Sequence, residues 1–101
     1  MAYKARFSAI AEGDLFEVIG ELVRFYLSTP KNFKSALRKA LSNTRHNPYM
    51  YKVSPYDSSY RQFAVSDYIV LYKVIEISKN NGYVEIYRIL HGSRNIEQIL
   101  G

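Results

Sequence analysis

Four side chains near the end of the chain have the chemistry to move a proton or to bind an anion. Tyr87 and Arg88 adjoin each other, His91 follows three residues later, and Arg94 comes after a Gly-Ser pair that predicts a turn. Histidine takes up and releases a proton near neutral pH, and arginine holds a phosphate or a carboxylate through parallel hydrogen bonds. If the turn brings these groups to one surface, they have the chemistry for a proton shuttle and for phosphate clamps.

The same residues also have structural interpretations. A lone histidine at the end of a strand is more often a hydrogen-bonded structural residue than a catalyst, which favours a structural role for His91. Arg88 alternates with apolar residues, so we expect it to anchor a carboxylate, that of Glu76, of Asp67 or of a partner protein. Arg94 follows the strand and is expected to be exposed, where it can contact a target or a partner.

Residues 61–94 are predicted to form the β-ribbon that positions these groups. In Tyr68–Ile77 both alternating sets of side chains are apolar apart from Lys73, which is the pattern of a central strand. Asn81-Gly82 suits the positive φ values of a two-residue hairpin turn, so Tyr83–His91 is predicted to fold back antiparallel. The ribbon therefore has three β-segments joined by two tight turns. Arg61 begins it beside a polar loop and is a further candidate for binding.

A strand and two helices are predicted before the ribbon. Tyr3–Ser8 alternates apolar and polar residues, as a strand with one buried face does, and Ser8 can cap a helix of about Ile10 to Leu27. The link Ser28-Thr29-Pro30, with Thr29 as cap, starts a second helix that ends at Asn47-Pro48, and so short a link predicts a helix hairpin. Each helix carries an apolar stripe, formed in the first by Ala11, Leu15, Val18, Ile19, Leu22, Val23 and Tyr26 and in the second by Phe33, Ala36, Leu37, Ala40, Leu41 and Thr44.

Two further segments complete the predicted fold. Tyr49–Ser59 is a long connection whose tyrosines are expected to wrap the helix hairpin, and Asn95–Leu100 predicts a short terminal helix that docks on the core. The order strand, helix, helix, three antiparallel strands, short helix predicts an α+β fold with one sheet, covered on one face by the hairpin. The other face is expected to be an open, concave and partly wet surface, where a ligand site would lie.

The composition of the 101 residues narrows the possible functions. Fourteen Lys and Arg against nine Asp and Glu give a net charge of +5, which favours an acidic protein, nucleic acid or another anion as partner. The length predicts one domain, 1–101, and the chain holds no cysteine and two isolated histidines, so neither a metal nor a cofactor is expected. No stretch approaches a membrane span or a signal peptide, so we expect a soluble cytoplasmic protein without membrane contact.

Three segments together carry a resemblance to a known family. The sequences AIAEGDL, RQFAVSDYIVLYKV and VEIYRILHGSRNIEQIL resemble the RelE/ParE superfamily of toxins from type II toxin–antitoxin systems. The most specific parts are the Arg61…Tyr68…Tyr72 spacing and Arg88-Ile89-Leu90-His91 followed by Arg94. The resemblance implies a small α+β toxin in a hetero-oligomer with a cognate acidic antitoxin. RelE-like members cut mRNA on the ribosome, whereas ParE-like members act on DNA gyrase.

The resemblance also bears on which branch this chain is similar to. RelE-like toxins place an arginine directly after the first tyrosine of the central strand, an arginine after the last strand and a tyrosine in the C-terminal segment. Here these positions hold Ile69, Arg94 and Leu100, so one of the three matches. Together with the run RILHGSR, this favours ParE-like inhibition of DNA gyrase. A RelE-like endoribonuclease using His91, Arg94, Arg88 and Tyr87, and a non-toxic protein-binding module, remain as alternatives.

An acidic antitoxin segment needs an apolar groove with a basic rim. Phe16 is predicted to point outward from the first helix, and Lys34, Arg38 and Lys39 to point outward from the second. A partner helix that folds on binding would lay its apolar side against Phe16 and its carboxylates on the basic side chains. Together with Arg61 and Arg94, these residues make up the predicted contacts with antitoxin or target.

Overall fold

A computed structural model describes residues 2–25 and 29–101, and its elements follow the predicted order. They are β1 (Ala2–Phe7), α1 (Ala9–Phe25), α2 (Thr29–His46), β2 (Arg61–Val65), β3 (Tyr68–Ser78), β4 (Asn81–His91) and α3 (Ile96–Leu100). The predicted end of α1 at Leu27, the burial of Tyr26 and the link at Ser28 lie outside the described residues, as does the capping side chain of Thr29. The α+β prediction is confirmed, with both long helices placed before the antiparallel ribbon.

The four strands form one sheet in the order β1-β4-β3-β2. β1 pairs in parallel with β4, while β3 pairs antiparallel with both β2 and β4. β3 is thus a central strand, as its two apolar faces indicate. β4 is the second central strand, so the first and last strands of the chain lie side by side.

The turn between β3 and β4 lies two residues before the predicted position. Lys79 and Asn80 form the turn, and Asn80 adopts the positive φ of 57°. Asparagine tolerates this left-handed conformation, so the turn does not need glycine there. Gly82 instead lies in β4, where a Cβ atom would come within 1.9 Å of the carbonyl oxygen of Ile75. The glycine therefore permits a close approach of two strands, and the predicted Asn81-Gly82 turn is wrong.

The helix hairpin packs on one sheet face and forms the main core. Val18 and Leu22 of α1 and Phe33 and Leu37 of α2 are buried against side chains of the sheet. The predicted burial is wrong for two residues of the stripes, because Val23 is 54% exposed and Ala36 is also exposed. Both lie at the edge of their helical stripe, where the curved surface turns away from the sheet. The buried sheet residues of this core are Tyr3, Phe63, Val65, Tyr68, Val70, Tyr72, Val84, Ile86 and Ile89.

The opposite sheet face is covered in part by α3. Ile96 of α3 is buried against Leu71 and Leu90, as the prediction of a docking terminal helix requires. Asn95 caps this helix by accepting a hydrogen bond from the backbone N–H of Gln98. α3 thus covers one end of the face, while further along β3 the side chain of Ile77 is 63% exposed.

The segment between α2 and β2, whose tyrosines are expected to wrap the helix hairpin, contacts the sheet, and its Tyr51 packs against the core that both helices share with the sheet. The ring of Tyr51 packs on Phe63 with centroids 5.0 Å apart, and the hydroxyl of Tyr49 donates to Glu76. Backbone hydrogen bonds join Gln62 to Lys52 along the edge of β2. An edge strand leaves backbone groups unpaired, and this segment satisfies some of them.

Candidate functional site

Arg88 is held by a carboxylate of α1. Its Nε donates to Asp14 at 2.8 Å and its Nη2 at 3.2 Å, and the same carboxylate accepts the backbone N–H of Ile89 at 2.9 Å. The hydrogen bond from its side chain to Asp14 raises the pKa of Arg88 above its usual value. Arg88 thus binds a carboxylate, as expected. The two residues of this chain that were predicted to supply it, Glu76 and Asp67, are wrong.

A bulge in β4 interrupts the strand pattern beside Arg88. Leu71 pairs with Arg88 and Tyr72 pairs with Ile86, so Tyr87 is an extra residue in β4. An inserted residue breaks the strict alternation of side chains. The bulge therefore places Ile89 on the helix side and Leu90 under α3, while Arg88 stays on the side of Val84 and Ile86 and reaches Asp14.

Beyond the end of β1, Ser8 at the start of α1 forms hydrogen bonds with β4. Ser8 donates from its backbone N–H to Ile86 and from its hydroxyl to the carbonyl of Tyr87, at 2.9 and 3.0 Å. The same hydroxyl accepts the N–H of Ala11 at 3.1 Å, which confirms the predicted helix cap. Ser8 and Asp14 thus form hydrogen bonds with backbone groups of β4 beyond the end of β1. Sequence reasoning missed this role of Asp14, although its position beside the apolar stripe of α1 was a signal.

His91 and Arg94 line one small pocket, as the predicted turn implies. The pocket, of about 50 Å³, lies between α1 and the end of β4, and the edge of the Tyr68 ring packs against His91 at 5.2 Å between centroids. Nδ1 of His91 accepts a hydrogen bond from the backbone N–H of Ser93 at 3.1 Å. The other polar side chains lining the pocket are carboxylates, Asp14, Glu17 and Glu21. These anions oppose the binding of a phosphate beside His91.

The four residues of the predicted ribonuclease set do not share one surface. Arg88 is taken up by Asp14, and the ring of Tyr87 stacks on Tyr60 with centroids 4.4 Å apart and planes at 6°. Tyr60 packs with the apolar residues under α3, on the sheet face opposite α1. Tyr87 is therefore separated by the sheet from the pocket that holds His91 and Arg94.

Arg61 supports the loop before β2. Its Nη1 donates to the carbonyl of Tyr51 at 2.7 Å and to that of Tyr49 at 3.4 Å, and its guanidinium lies 5.1 Å from the centroid of the Tyr49 ring. These contacts fix the loop to the sheet edge. A role of Arg61 in binding remains a prediction.

Glu76 gathers two tyrosines in an arrangement that sequence reasoning missed. The hydroxyl of Tyr3 lies 2.7 Å from both carboxylate oxygens, and Tyr49 also donates to this carboxylate. The hydrogen bonds from Tyr49 and Tyr3 lower the pKa of Glu76, and the bond to Glu76 raises the pKa of Tyr3 to about 12. The three side chains come from β1, β3 and the loop, so no local pattern connects them.

An apolar groove lies between α1 and α2. It has a volume of about 550 Å³, and its lining includes Phe16 and Lys34, two of the predicted antitoxin contacts. Phe16 is 83% exposed, so its ring is available to a partner. Arg38 and Lys39 are exposed on α2 but do not line the groove. The remaining lining residues are Phe7, Glu12, Leu15, Ile19 and Gly20.

Two positions that distinguish the ribonuclease branch lie in one apolar cluster. Ile69 and Leu100, where RelE-like toxins carry arginine and tyrosine, both pack against the buried Leu71, Leu90 and Ile96. Side chains packed in this way offer neither a cation nor a proton donor to a substrate. At these two positions the chain therefore has a hydrophobic contact in place of catalytic groups.

The fold and the groove define a small α+β protein of the kind expected for toxins of the RelE/ParE superfamily. A family model described as the ParE toxin of type II toxin–antitoxin systems, parDE, matches residues 5–96, and the chain belongs to this family. It is thus the toxin component of a type II toxin–antitoxin system, whose family implies an antitoxin partner. A comparison with curated proteins gives no match. Within the part of the chain that the structure describes, no helix has the length and apolar character needed to cross a membrane.

Proposed function

We propose that the protein inhibits an essential nucleic-acid enzyme, DNA gyrase, and does not cleave mRNA. The observation that carries this proposal is the packing of Ile69 and Leu100 in the apolar cluster under α3. A ribonuclease needs cations for the transition-state phosphate and a group that transfers a proton. Two of the three positions at which the RelE-like branch supplies such groups are apolar here, and Arg94 is the one that is kept.

The surroundings of His91 support the same conclusion. A histidine that acts as a proton shuttle needs an approach for the phosphate, but three carboxylates line the pocket beside this one. Its Nδ1 is already held by Ser93, both through the backbone N–H and through the hydroxyl at 2.7 Å. We therefore assign His91 a structural role at the end of β4.

We also propose that the groove between α1 and α2 binds the antitoxin. The exposed ring of Phe16 and the ammonium of Lys34 fit an amphipathic partner helix with acidic residues along one side. Gly13 and Gly20 lie on the same side of α1 as Phe16, and a Cβ atom at either would meet nothing within 4 Å. Glycine inside a helix costs stability relative to alanine. Since no described neighbour of these glycines requires the absence of a side chain, they favour a site where a partner backbone comes close.

The experiment that tests the target compares two reactions with the same purified protein. DNA gyrase supercoiling of a relaxed plasmid measures the first, and the integrity of mRNA in a cell-free translation mixture measures the second. We expect supercoiling to be lost while mRNA stays intact. Cut mRNA with normal supercoiling would instead establish the RelE-like alternative. Activity in neither reaction, from a folded protein that still binds its antitoxin, would favour the non-toxic binding module.

A further inference from the structure

Two rows of side chains cross the part of the outer sheet face that α3 leaves open. Lys4 of β1, Tyr83 of β4 and Ile75 of β3 are paired neighbours in one row, and Arg6, Glu85 and Lys73 are paired neighbours in the next. Directly paired residues of adjacent strands lie on the same face of a sheet. We call these six residues, together with Ile77, the open sheet face.

The open sheet face is ordered by contacts between its own side chains. The guanidinium of Arg6 lies 4.2 Å from the centroid of the Tyr83 ring, and its Nε donates to Glu85 at 3.1 Å. Both partners of the ion pair keep access to solvent, with 45% and 26% of their side chains exposed. An arginine stacked on a ring is preorganised for binding, since less conformational entropy is lost when a partner arrives.

The face has a positive charge and an apolar border. Lys4, Arg6 and Lys73 provide three cations against the single carboxylate of Glu85, and the lysines are exposed. Ile77 is 63% exposed near the end of β3 and supplies the apolar border. This combination of cations around an aromatic ring and an aliphatic edge matches an acidic protein surface with an apolar residue.

Other occupants fit these side chains less well. A nucleic-acid strand would bring phosphates close to Glu85, and the ring of Tyr83 is engaged by Arg6 and not free to stack on a base. A second copy of this chain would place like charges opposite each other. The charge pattern therefore favours a different, acidic protein.

We propose that the open sheet face binds an acidic surface of the toxin's target protein, on the side of the sheet opposite the groove that takes the antitoxin. This inference rests on the proposed inhibition of DNA gyrase. It makes the two binding events separable by mutation, because the helices and the open sheet face lie on opposite sides of the sheet. Lys4 and Lys73 are the residues that would steer the acidic target, whereas Arg6 and Tyr83 form the fixed centre of the contact.

The test removes two positive charges from the face and compares the result with the same loss elsewhere. The variant is Lys4→Gln with Lys73→Gln, and the control is Lys31→Gln with Lys52→Gln, which neutralises two other exposed lysines. The probe is purified DNA gyrase, and the measured quantity is the toxin concentration that halves supercoiling. We expect this concentration to rise on the order of tenfold for the face variant and little for the control, because long-range charge attraction sets the association rate. The effect should shrink at high salt.

The possible outcomes separate this inference from the proposed function. Equal inhibition by the face variant and the unmodified protein would overturn the inference and leave gyrase inhibition standing. No inhibition by the folded unmodified protein would overturn both. Weaker binding of the face variant to the antitoxin, with inhibition retained, would assign the face to the antitoxin. A parallel loss of affinity for a single-stranded oligonucleotide, without a change in gyrase inhibition, would assign it to nucleic acid.

Discussion

Arg88 and Asp14 join the end of β4 to the first half of α1 through a two-pronged ion pair. The Nε and Nη2 atoms of Arg88 lie 2.8 and 3.2 Å from the two carboxylate oxygens, and only 19% and 12% of the two side chains are exposed. The same carboxylate also pairs the backbone N–H of Ile89. Removal of either partner would leave a charge largely shielded from water and unpaired.

We predict that Arg88→Ala and Asp14→Ala each lower the free energy of unfolding by about 2–3 kcal/mol, near the lower end for a broken buried pair because both groups keep some solvent contact. Asp14→Ala should cost at least as much as Arg88→Ala, since it also leaves the N–H of Ile89 without its acceptor. Urea unfolding followed by circular dichroism measures the difference. Glu12→Ala, which removes an exposed carboxylate of the same helix outside this pocket, is the matched control and should change stability by less than about 1 kcal/mol. Equal stability of Asp14→Ala and the control would contradict this account.

His91 and Arg94 are expected to respond differently to substitution. His91→Gln should retain inhibition of the target, because glutamine can still accept a hydrogen bond and no proton needs to be transferred. A proton shuttle at this position would instead lose on the order of 100-fold in activity. Arg94→Ala should be inactive but folded, since an exposed arginine contributes little to stability and often dominates binding. Dose–response curves of growth after induced expression, with circular dichroism of each variant, check both results. Full activity of Arg94→Ala would remove this residue from the contact with the target.

Phe16→Asp is predicted to weaken antitoxin binding without unfolding the toxin. The ring is 83% exposed, so its loss removes little of the core, while the new carboxylate would repel an acidic partner in the groove. Ile10→Asp is the matched control, because Ile10 is 53% exposed on the same helix and does not line the groove. Isothermal titration calorimetry should show a loss on the order of tenfold or more for Phe16→Asp alone. Equal affinities for the two variants would exclude the groove as the binding site.

The cluster around Glu76 predicts how stability depends on pH. The pKa of Glu76 is lowered in the folded protein by the hydroxyls of Tyr49 and Tyr3, from an ordinary value of 4.5. Its contribution is therefore fully present above pH 4.5 and is lost as the pH falls through the lowered pKa. The difference in unfolding free energy between the wild type and Glu76→Gln should be largest near neutral pH and shrink in acid. A constant difference from pH 7 to pH 2 would show that the charge of Glu76 does not matter.

The same contacts predict a loss of stability at alkaline pH, because they raise the pKa of Tyr3 while they lower that of Glu76. The pKa of Tyr3 rises from 10.0 to about 12, so its stabilisation is present below pH 10 and is lost as the pH approaches 12. Burial raises the pKa of Tyr72 to about 12 as well. Tyr3→Phe should therefore flatten the alkaline decline only in part, and Tyr72→Phe is the comparison that separates the two tyrosines.

Local sequence patterns were sufficient to predict the helices and strands but not the contacts between them. The alternation of Tyr68–Ile77 and the apolar stripes of the helices predicted strands and helices because side-chain periodicity is a local property. The hairpin turn was misplaced because asparagine, like glycine, can adopt positive φ. The sequence alone does not show that Asn80 is the residue that does so. The close approach that requires Gly82 arises from the pairing with Ile75, which only the folded sheet reveals.

The candidate site shows the same division. Phe16 and Lys34 were predicted together because both point outward from neighbouring helices, and the structure places them in one groove. The partner of Arg88 was missed because Asp14 lies 74 positions earlier in the chain. The Glu76 cluster was missed because its members are up to 73 positions apart in the chain. Contacts over such distances depend on the tertiary fold and leave no periodic signal.

The parallel pairing of β1 with β4 determines when this toxin can become a complete molecule during synthesis. Arg6 and Glu85 are 79 positions apart, so β1 has no strand to pair with until nearly the whole chain has left the ribosome. Contacts between distant residues form late and slowly in folding, and the two helices can assemble before them. The groove between α1 and α2, which we propose for the antitoxin, is lined by side chains from residues 7–34, all of which are synthesised before the three strands of the ribbon. An antitoxin already present in the cell would then meet its binding site on a chain whose outer sheet face does not yet exist.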